Sequence, residues 1–409
     1  MKKKYILFSM IVMVFGLCTR CNNAEYETKD NSIYILEAVA AKSARVSFDE
    51  TNGADVNLVI RLAKPVQEDV EIRISIDPYA LARYNETYNT TLAPVSIENT
   101  DLEADERITI KAGEVLASKK IHINYFESQG KRYALPVAVE GLTGNITASV
   151  SQSKFIYIVA KKLFVRTPIL RYKSGPSAIA AKPILETGAD GAKTGGWNLY
   201  LQAYTIEFWA RLDMYNTQNY SILAIYGNDF EDSDNYNCYF RFGDANTGPS
   251  QPNGNRNYIN WKVWGAQLTG PFELVANQWN HWALIYDGTN LTIYRNGEEY
   301  LKTAAKYPGG TWVMHDVQLI GSHKAVNNNM NLSQVRIWKK ALTPAQIKDN
   351  MYYEADASDP DLEAYWKMDE GPYNFNNIFI DATGHGHDAI FRPNSVTGFG
   401  WTEPQKFDK

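Results

Sequence analysis

The sequence predicts an all-β protein built from two sandwich modules, and three observations carry that expectation. Apolar and polar residues alternate in short segments along most of the chain, the two-residue period of half-buried strands. Turn-forming Gly, Pro, Asn and Asp interrupt these segments, and only two stretches carry strong helix-start signals. All ten tryptophans lie at or after Trp197, so the two parts of the chain differ in composition. At ~150 residues per domain, a chain of 409 residues holds two or three domains.

Residues 1–21 read MKKKYILFSMIVMVFGLCTRC. Three lysines, an apolar run from Tyr5 to Leu17 and the lack of any acid make this an export signal. The run is shorter than the ~20 residues that span a bilayer. A cysteine at the end of such a segment resembles the lipobox of bacterial lipoproteins, in which the cysteine is acylated and becomes the first mature residue. Cys21 is the expected site, because the chain turns polar at Asn22-Asn23. Arg20 stands where that family carries a small residue, which keeps Cys18 as the alternative. A plain secretory signal is the other reading. Acyl chains would hold the protein at a membrane without crossing it. Cys238 is then left without a disulfide partner, so stability must come from the cores.

Residues 22–160 form the expected first module. Val56–Leu62, Val70–Ile76, Ile108–Ile110, Ile121–Tyr125, Leu135–Val139 and Phe155–Val159 alternate as strands. Pro65 and Pro136 mark edges or strand starts. Asp77-Pro78 provides an N-cap and first residue for one helix. About seven strands in this length fit an immunoglobulin-like sandwich. The stretches NSIYILEA, DVNLVIRLAKPVQEDVEIRISIDPYALARYNETYNT and ITIKAGE resemble an N-terminal domain of unknown function found in surface lipoproteins of polysaccharide-utilisation loci. In that family the domain often precedes a glycan-binding module or a family 18 glycoside hydrolase.

Residues 161–183, with Pro168, Gly175 and Pro176, are a linker or the first strand of the next module, which covers residues 184–409. Tyr204–Leu212, His281–Tyr286, Leu291–Arg295, Val317–Gly321 and Leu332–Trp338 read as strands. Asn296-Gly297 is a tight hairpin turn. Thr343-Pro344-Ala345-Gln346 is a capping box with proline at the first helical position. YTIEFWARL, WNHWALIYDGTNLTIYRNGE, LSQVRIWKKALTPAQI, LEAYWKMDEG and DATGHGHDAIF together resemble the laminin-G-like, concanavalin-A-like jelly roll. That fold hosts sugar binders, protein binders and hydrolases alike.

The charge balance, 41 basic against 46 acidic residues, is the wrong sign for a nucleic-acid binder. Family 16 hydrolases on the jelly roll carry a Glu-x-Asp-x-x-Glu strand, which sets two carboxylates on one face beside the scissile bond. Glu354-Ala355-Asp356 follows a helix signal, and Glu103-Ala104-Asp105 lies in the other module, so neither qualifies. The family 18 acidic pattern is absent too. The acidic loop Asp229–Asn235 could hold Ca²⁺, although a solvated charge run is the simpler reading and no cofactor is expected. His385 and His387 are read as loop side chains rather than metal ligands.

Aromatic residues are the remaining signal, at 13% with 26 Tyr and 10 Trp. A flat ring covers the C–H face of a sugar while nearby amides bond its hydroxyl rim. Trp209, Trp282, Trp338 and Trp366 sit in strand patterns and belong to the core. Trp261, Trp264 and Trp312 lie in polar, Gly/Asn-rich surroundings and, with Tyr236, Tyr258 and Arg256, form the expected glycan site. Trp261 and Trp264 would face opposite ways on a regular strand, so at most one should be core. The expected function is non-catalytic glycan capture by a lipid-anchored outer-membrane protein facing the cell exterior. The resemblance implies a TonB-dependent transporter and its lipoprotein as partners. A glycoside hydrolase, or an accessory subunit of one, is the first alternative. An adhesive protein-binding lipoprotein is the second.

Overall fold

The computed structural model describes residues 31–407, apart from 50–51, 89, 127–130, 191–192, 216–219, 228–237, 244–256, 272, 322–327 and 374. Strands dominate, and the first module is a sandwich of two sheets. One has the order Leu116–Ile123, Ala54–Leu62, Ser32–Ile35, Thr147–Ala148. The other runs Ser43–Phe48, Lys154–Lys161, Tyr133–Gly141, Val70–Ile76, Glu106–Ile110, with Ala93–Pro94 added beside Tyr133–Gly141. Alternation explains the packing: Ala54, Val56, Leu58, Ile60 and Leu62 are buried, while Asp55, Asn57 and Arg61 are exposed. The inward residues of both sheets share one core. The helix Pro78–Tyr88 begins as expected, with the Asp77 carboxylate accepting from the Ala80 amide at 3.0 Å.

One expectation fails here. Pro136 lies inside the Tyr133–Gly141 strand, with a neighbour on either side, and not at an edge. A proline is tolerated because Val70–Ile76 ends beside it. Asp77 donates to the Pro136 carbonyl at 2.8 Å, and the amide that would have been returned is the one proline lacks.

The second module is a jelly roll of two facing sheets with antiparallel pairings. The first has the order Glu298–Ala304, Asn290–Arg295, Asn280–Tyr286, Tyr204–Leu212, Met330–Trp338, Pro168–Tyr172, Val396–Trp401. The second runs Ala266–Thr269, Ile259–Val263, Cys238–Phe242, Tyr220–Gly227, Trp312–Gly321, Ile179–Ala181, Ala389–Phe391, Ile378–Phe379. Residues 161–183 are structural members of this module. Phe164–Val165 pairs with Gln405–Lys406, Pro168–Tyr172 lies between two strands of one sheet, and Ile179–Ala181 lies inside the other. Asn296 and Gly297 make the expected hairpin, with φ of 51° and 81°. The helix Pro344–Asn350 has its complete capping box. Among the described residues no helix is long and apolar enough to cross a membrane.

The far side of the first sheet carries a buried polar group beneath the segment that follows Trp338. Glu207 accepts from the Trp338 indole at 2.8 Å. Arg336 lies 3.9 Å from Glu207 and donates to the Tyr353 carbonyl at 2.7 Å and the Asn350 carbonyl at 3.2 Å. His281, also buried, has no partner for Nδ1. Burial and the nearby Arg336 charge push its pKa down to about 3.

That depression fixes a pH dependence. The folded state holds His281 neutral, whereas the unfolded chain protonates it near its ordinary pKa of ~6.5. The contribution is therefore full above ~6.5 and is lost as pH falls toward the folded value. Urea unfolding followed by tryptophan fluorescence, which reads the second module, should show about 2 kcal/mol less stability at pH 5 than at pH 7 from this group. A folded His281→Gln variant should lack that part of the slope.

Candidate functional site

The described members of the expected aromatic site are buried, which corrects their assignment. Trp261, Trp312 and Tyr258 are 0% exposed and Trp264 is 6% exposed. Trp261 is an inward residue of Ile259–Val263, and its indole donates to the Cys238 sulfur at 3.1 Å. Burial pushes the Cys238 thiol up to about 12, so it is an inert core group. Trp312 stacks obliquely on Tyr204 at 4.7 Å. The parity argument fails at Trp264 because the strand ends at Val263. Trp264 adopts φ 48° in the turn that follows, which swings its ring back over the core against Tyr286 and Tyr307, 5.5 and 5.4 Å away. A Cβ at Gly310 would lie 2.3 Å from that indole, so only glycine fits beneath it. Tyr236, Arg256, the Asp229–Asn235 loop, Cys18 and Cys21 lie outside the described residues.

Trp209, Trp282, Trp338 and Trp366 are core, as expected. His387 is a buried packing group: it stacks on Trp197 at 3.7 Å, and Nε2 meets Glu363 at 3.1 Å. Glu354 is held by Lys367 at 2.8 Å and Lys161 at 3.5 Å, and Asp356 accepts from Thr91 and Ser358. Neither acid lies on a strand.

The surface with binding chemistry is the complement of those buried residues. Where Trp261, Phe240, Leu223, Ile225, Val317 and Leu319 point inward, their neighbours on the second sheet point outward. One row across it reads Lys262, Tyr239, Ala224, Gln318, Ala180, by register. Tyr226 stands opposite Asp316, and Arg241 opposite Asn260. Tyr226 and Tyr239, both half-buried, are therefore diagonal neighbours on adjacent strands, with the small Ala224 between them.

Polar groups surround the two rings. Gln318 donates to Asp316 Oδ2 at 2.5 Å. Asp316 Oδ1 is buried with no hydrogen-bond partner, and burial holds the carboxyl above the usual carboxylate range. Asn260 is fully buried, accepting from Arg241 at 3.3 Å and donating to Thr269 at 2.9 Å, so it supports the face from within. Half-buried ring faces next to the partly exposed Gln318 amide and Lys262 can bind a ligand with an apolar face and a hydroxyl rim. Among the described residues no group of three His, Cys, Asp or Glu side chains could hold a metal ion. The sequence pattern assigned neither Tyr226 nor Tyr239 to the site. The available signal was the outward parity of both, relative to their apolar neighbours.

Trp261→Ala should therefore act as a core deletion. The expected loss is about 3–5 kcal/mol of unfolding free energy, measurable by denaturant titration. Loss of ligand affinity with full stability would contradict the burial.

Comparison with known proteins places both modules. Residues 186–348 match the profile of the concanavalin A-like lectin/glucanases superfamily, laminin G type. Residues 27–146 match the profile of an N-terminal domain. No curated protein matches the chain. A solved Bacteroides ovatus protein, assigned by inference to carbohydrate binding, is 19% identical and covers 92% of this chain and 100% of its own, with a TM-score of 0.50. A serum-amyloid-P-like pentraxin from Limulus polyphemus is 11% identical and covers 44% of this chain and 80% of its own, with a TM-score of 0.30.

Proposed function

We propose, from a second module that is a concanavalin A-like lectin/glucanase domain, that the protein binds glycan on the outward face of its second sheet. The carrying observation is the half-buried Tyr226 and Tyr239 pair flanked by the partly exposed Gln318 and Lys262. Pyranose C–H faces would lie on the rings, and hydroxyls would bond the Gln318 amide and the Lys262 ammonium. The fold shared with the Bacteroides ovatus protein assigned to carbohydrate binding supports this reading. Binding without bond cleavage is proposed because the two Glu-x-Asp acids of this module, Glu354 and Asp356, are engaged in structural pairs. A cell-surface location, lipid attachment through Cys21 and delivery to a TonB-dependent transporter complete the proposal. The first module would then lift the binding module off the membrane, and many tethered copies would raise the effective affinity for a repeating ligand.

Affinity electrophoresis through gels containing a panel of polysaccharides tests the site. At least one glycan should retard the wild-type protein. Tyr226→Ala and Tyr239→Ala should each weaken that retention about tenfold, the worth of one stacked ring at ~1.4 kcal/mol. Unchanged retention in the double variant would overturn the site. New reducing ends on incubation would overturn binding without cleavage.

A further inference from the structure

A cleft of about 810 Å³ separates the modules, a volume typical of small-molecule sites. Its first-module wall carries Arg45, Tyr84, Tyr88, Thr91 and Arg132. Its second-module wall carries Lys340, Lys348, Tyr353, Asp356 and Asp359. Cations exceed acids here, although the whole chain has a net charge of −5. Most of these cations are engaged. Lys340 meets Asp361 at 2.8 Å, Lys348 meets Glu298 at 2.7 Å, and Arg45 donates to Asn350 at 3.1 Å while lying over the Tyr353 ring.

Arg132 differs from them. It lines both this cleft and an adjoining cavity of about 110 Å³. Among the described residues its guanidinium has no hydrogen bond or close ion pair. The nearest acids are occupied elsewhere: Asp356 by Thr91 and Ser358, and Asp359 by the Asp361 amide and Lys340. Burial holds the Arg132 pKa below the ordinary arginine value, against the opposing pull of the Asp356 and Asp359 charges. The guanidinium is partly exposed within the cleft and makes no hydrogen bond among the described residues, and its planar fork matches a carboxylate. On the same wall Tyr88 is 50% exposed, and its ring leans on Tyr84 at 4.5 Å. The Tyr84 hydroxyl is fixed to Ser43 at 2.9 Å.

We propose that this cleft binds the carboxylate-bearing residue of an acidic saccharide, a uronate or a sialate, with the carboxylate on Arg132 and the ring face on Tyr88. The saccharide part rests on the glycan-binding reading above; the carboxylate part rests on Arg132. Calorimetric titration of the whole chain with glucuronic acid, N-acetylneuraminic acid, glucose and acetate tests it. One acidic sugar should bind at least tenfold more tightly than glucose and than acetate, and which one binds distinguishes the two sources. Arg132→Gln should weaken that binding at least tenfold with its thermal unfolding unchanged. Tyr88→Ala should weaken it as well, whereas Tyr226→Ala should leave it intact. If Arg132→Gln fails to fold, Arg132→Lys keeps the charge, loses the fork and should still weaken binding. Equal affinity for acidic sugar and glucose overturns the proposal, as does full affinity in the Arg132 variant. Acetate binding as tightly as the sugars reduces the site to a bare anion site and also overturns it. Failure of the glycan-binding face would appear separately, as absent retention of neutral polysaccharide with Arg132-dependent binding preserved.

Discussion

The Arg336 guanidinium joins the interior of the second module to the seam between the modules. It is buried against Glu207 on one side and grips the carbonyls of Asn350 and Tyr353 on the other. Those two carbonyls belong to the segment that meets the first module. Asn350 receives Arg45, Tyr353 lies beneath Arg45, Glu354 pairs with Lys161 and Asp356 receives Thr91. A buried charge of this kind adds little net stability over an apolar substitute, but leaving either partner alone is severe. Its effect is positional: it fixes an irregular segment, with no strand of its own, against a rigid sheet. The Trp338 indole on Glu207 keeps the carboxyl from turning away.

The binding face and the core are two readings of the same strands. A residue that faces inward commits its neighbours to face outward. Trp261 inside turns Lys262 to the opposite face, where Asn260 is itself buried, and Phe240 inside turns Tyr239 and Arg241 to that face. The small Ala224 stands directly opposite Tyr239 and two residues before Tyr226 on its own strand. The face therefore needs no loop to position it. The seam is built differently, from helix ends, a post-helix segment and long cationic side chains, and among the described residues the Arg132 guanidinium there has no hydrogen-bonded anion.

Much of the fold was legible because alternation is a local property. Tyr204–Leu212 and Val70–Ile76 have the expected bounds, and both helix starts carry the expected caps. The proposed glycan face was not legible, because composition around a residue does not give its direction. Trp264 was judged by strand parity, yet a turn with positive φ intervenes. Trp312 follows Gly309 and Gly310, which suggested a loop, yet it opens a strand and faces the core. The pairing of Tyr226 with Asp316 depends on a register between segments some ninety positions apart, which no local pattern contains. The Arg132 environment depends on contact between two modules and was equally invisible.

Pro168–Tyr172 lies against Val396–Trp401, and Phe164–Val165 lies against Gln405–Lys406. The module is thus closed like a clasp by segments separated by more than two hundred residues of intervening chain. Neither side of the clasp can settle until the other is present, and ring closure over such a span carries a large entropic barrier. Both clasp segments lie next to Leu163 and Phe407, which pack together with Trp209 and Met351. Any pull transmitted from the first module through residues 161–165 would reach these paired strands before it reached the sheet that carries the tyrosines. The clasp would therefore act as a mechanical fuse, loaded ahead of the binding face.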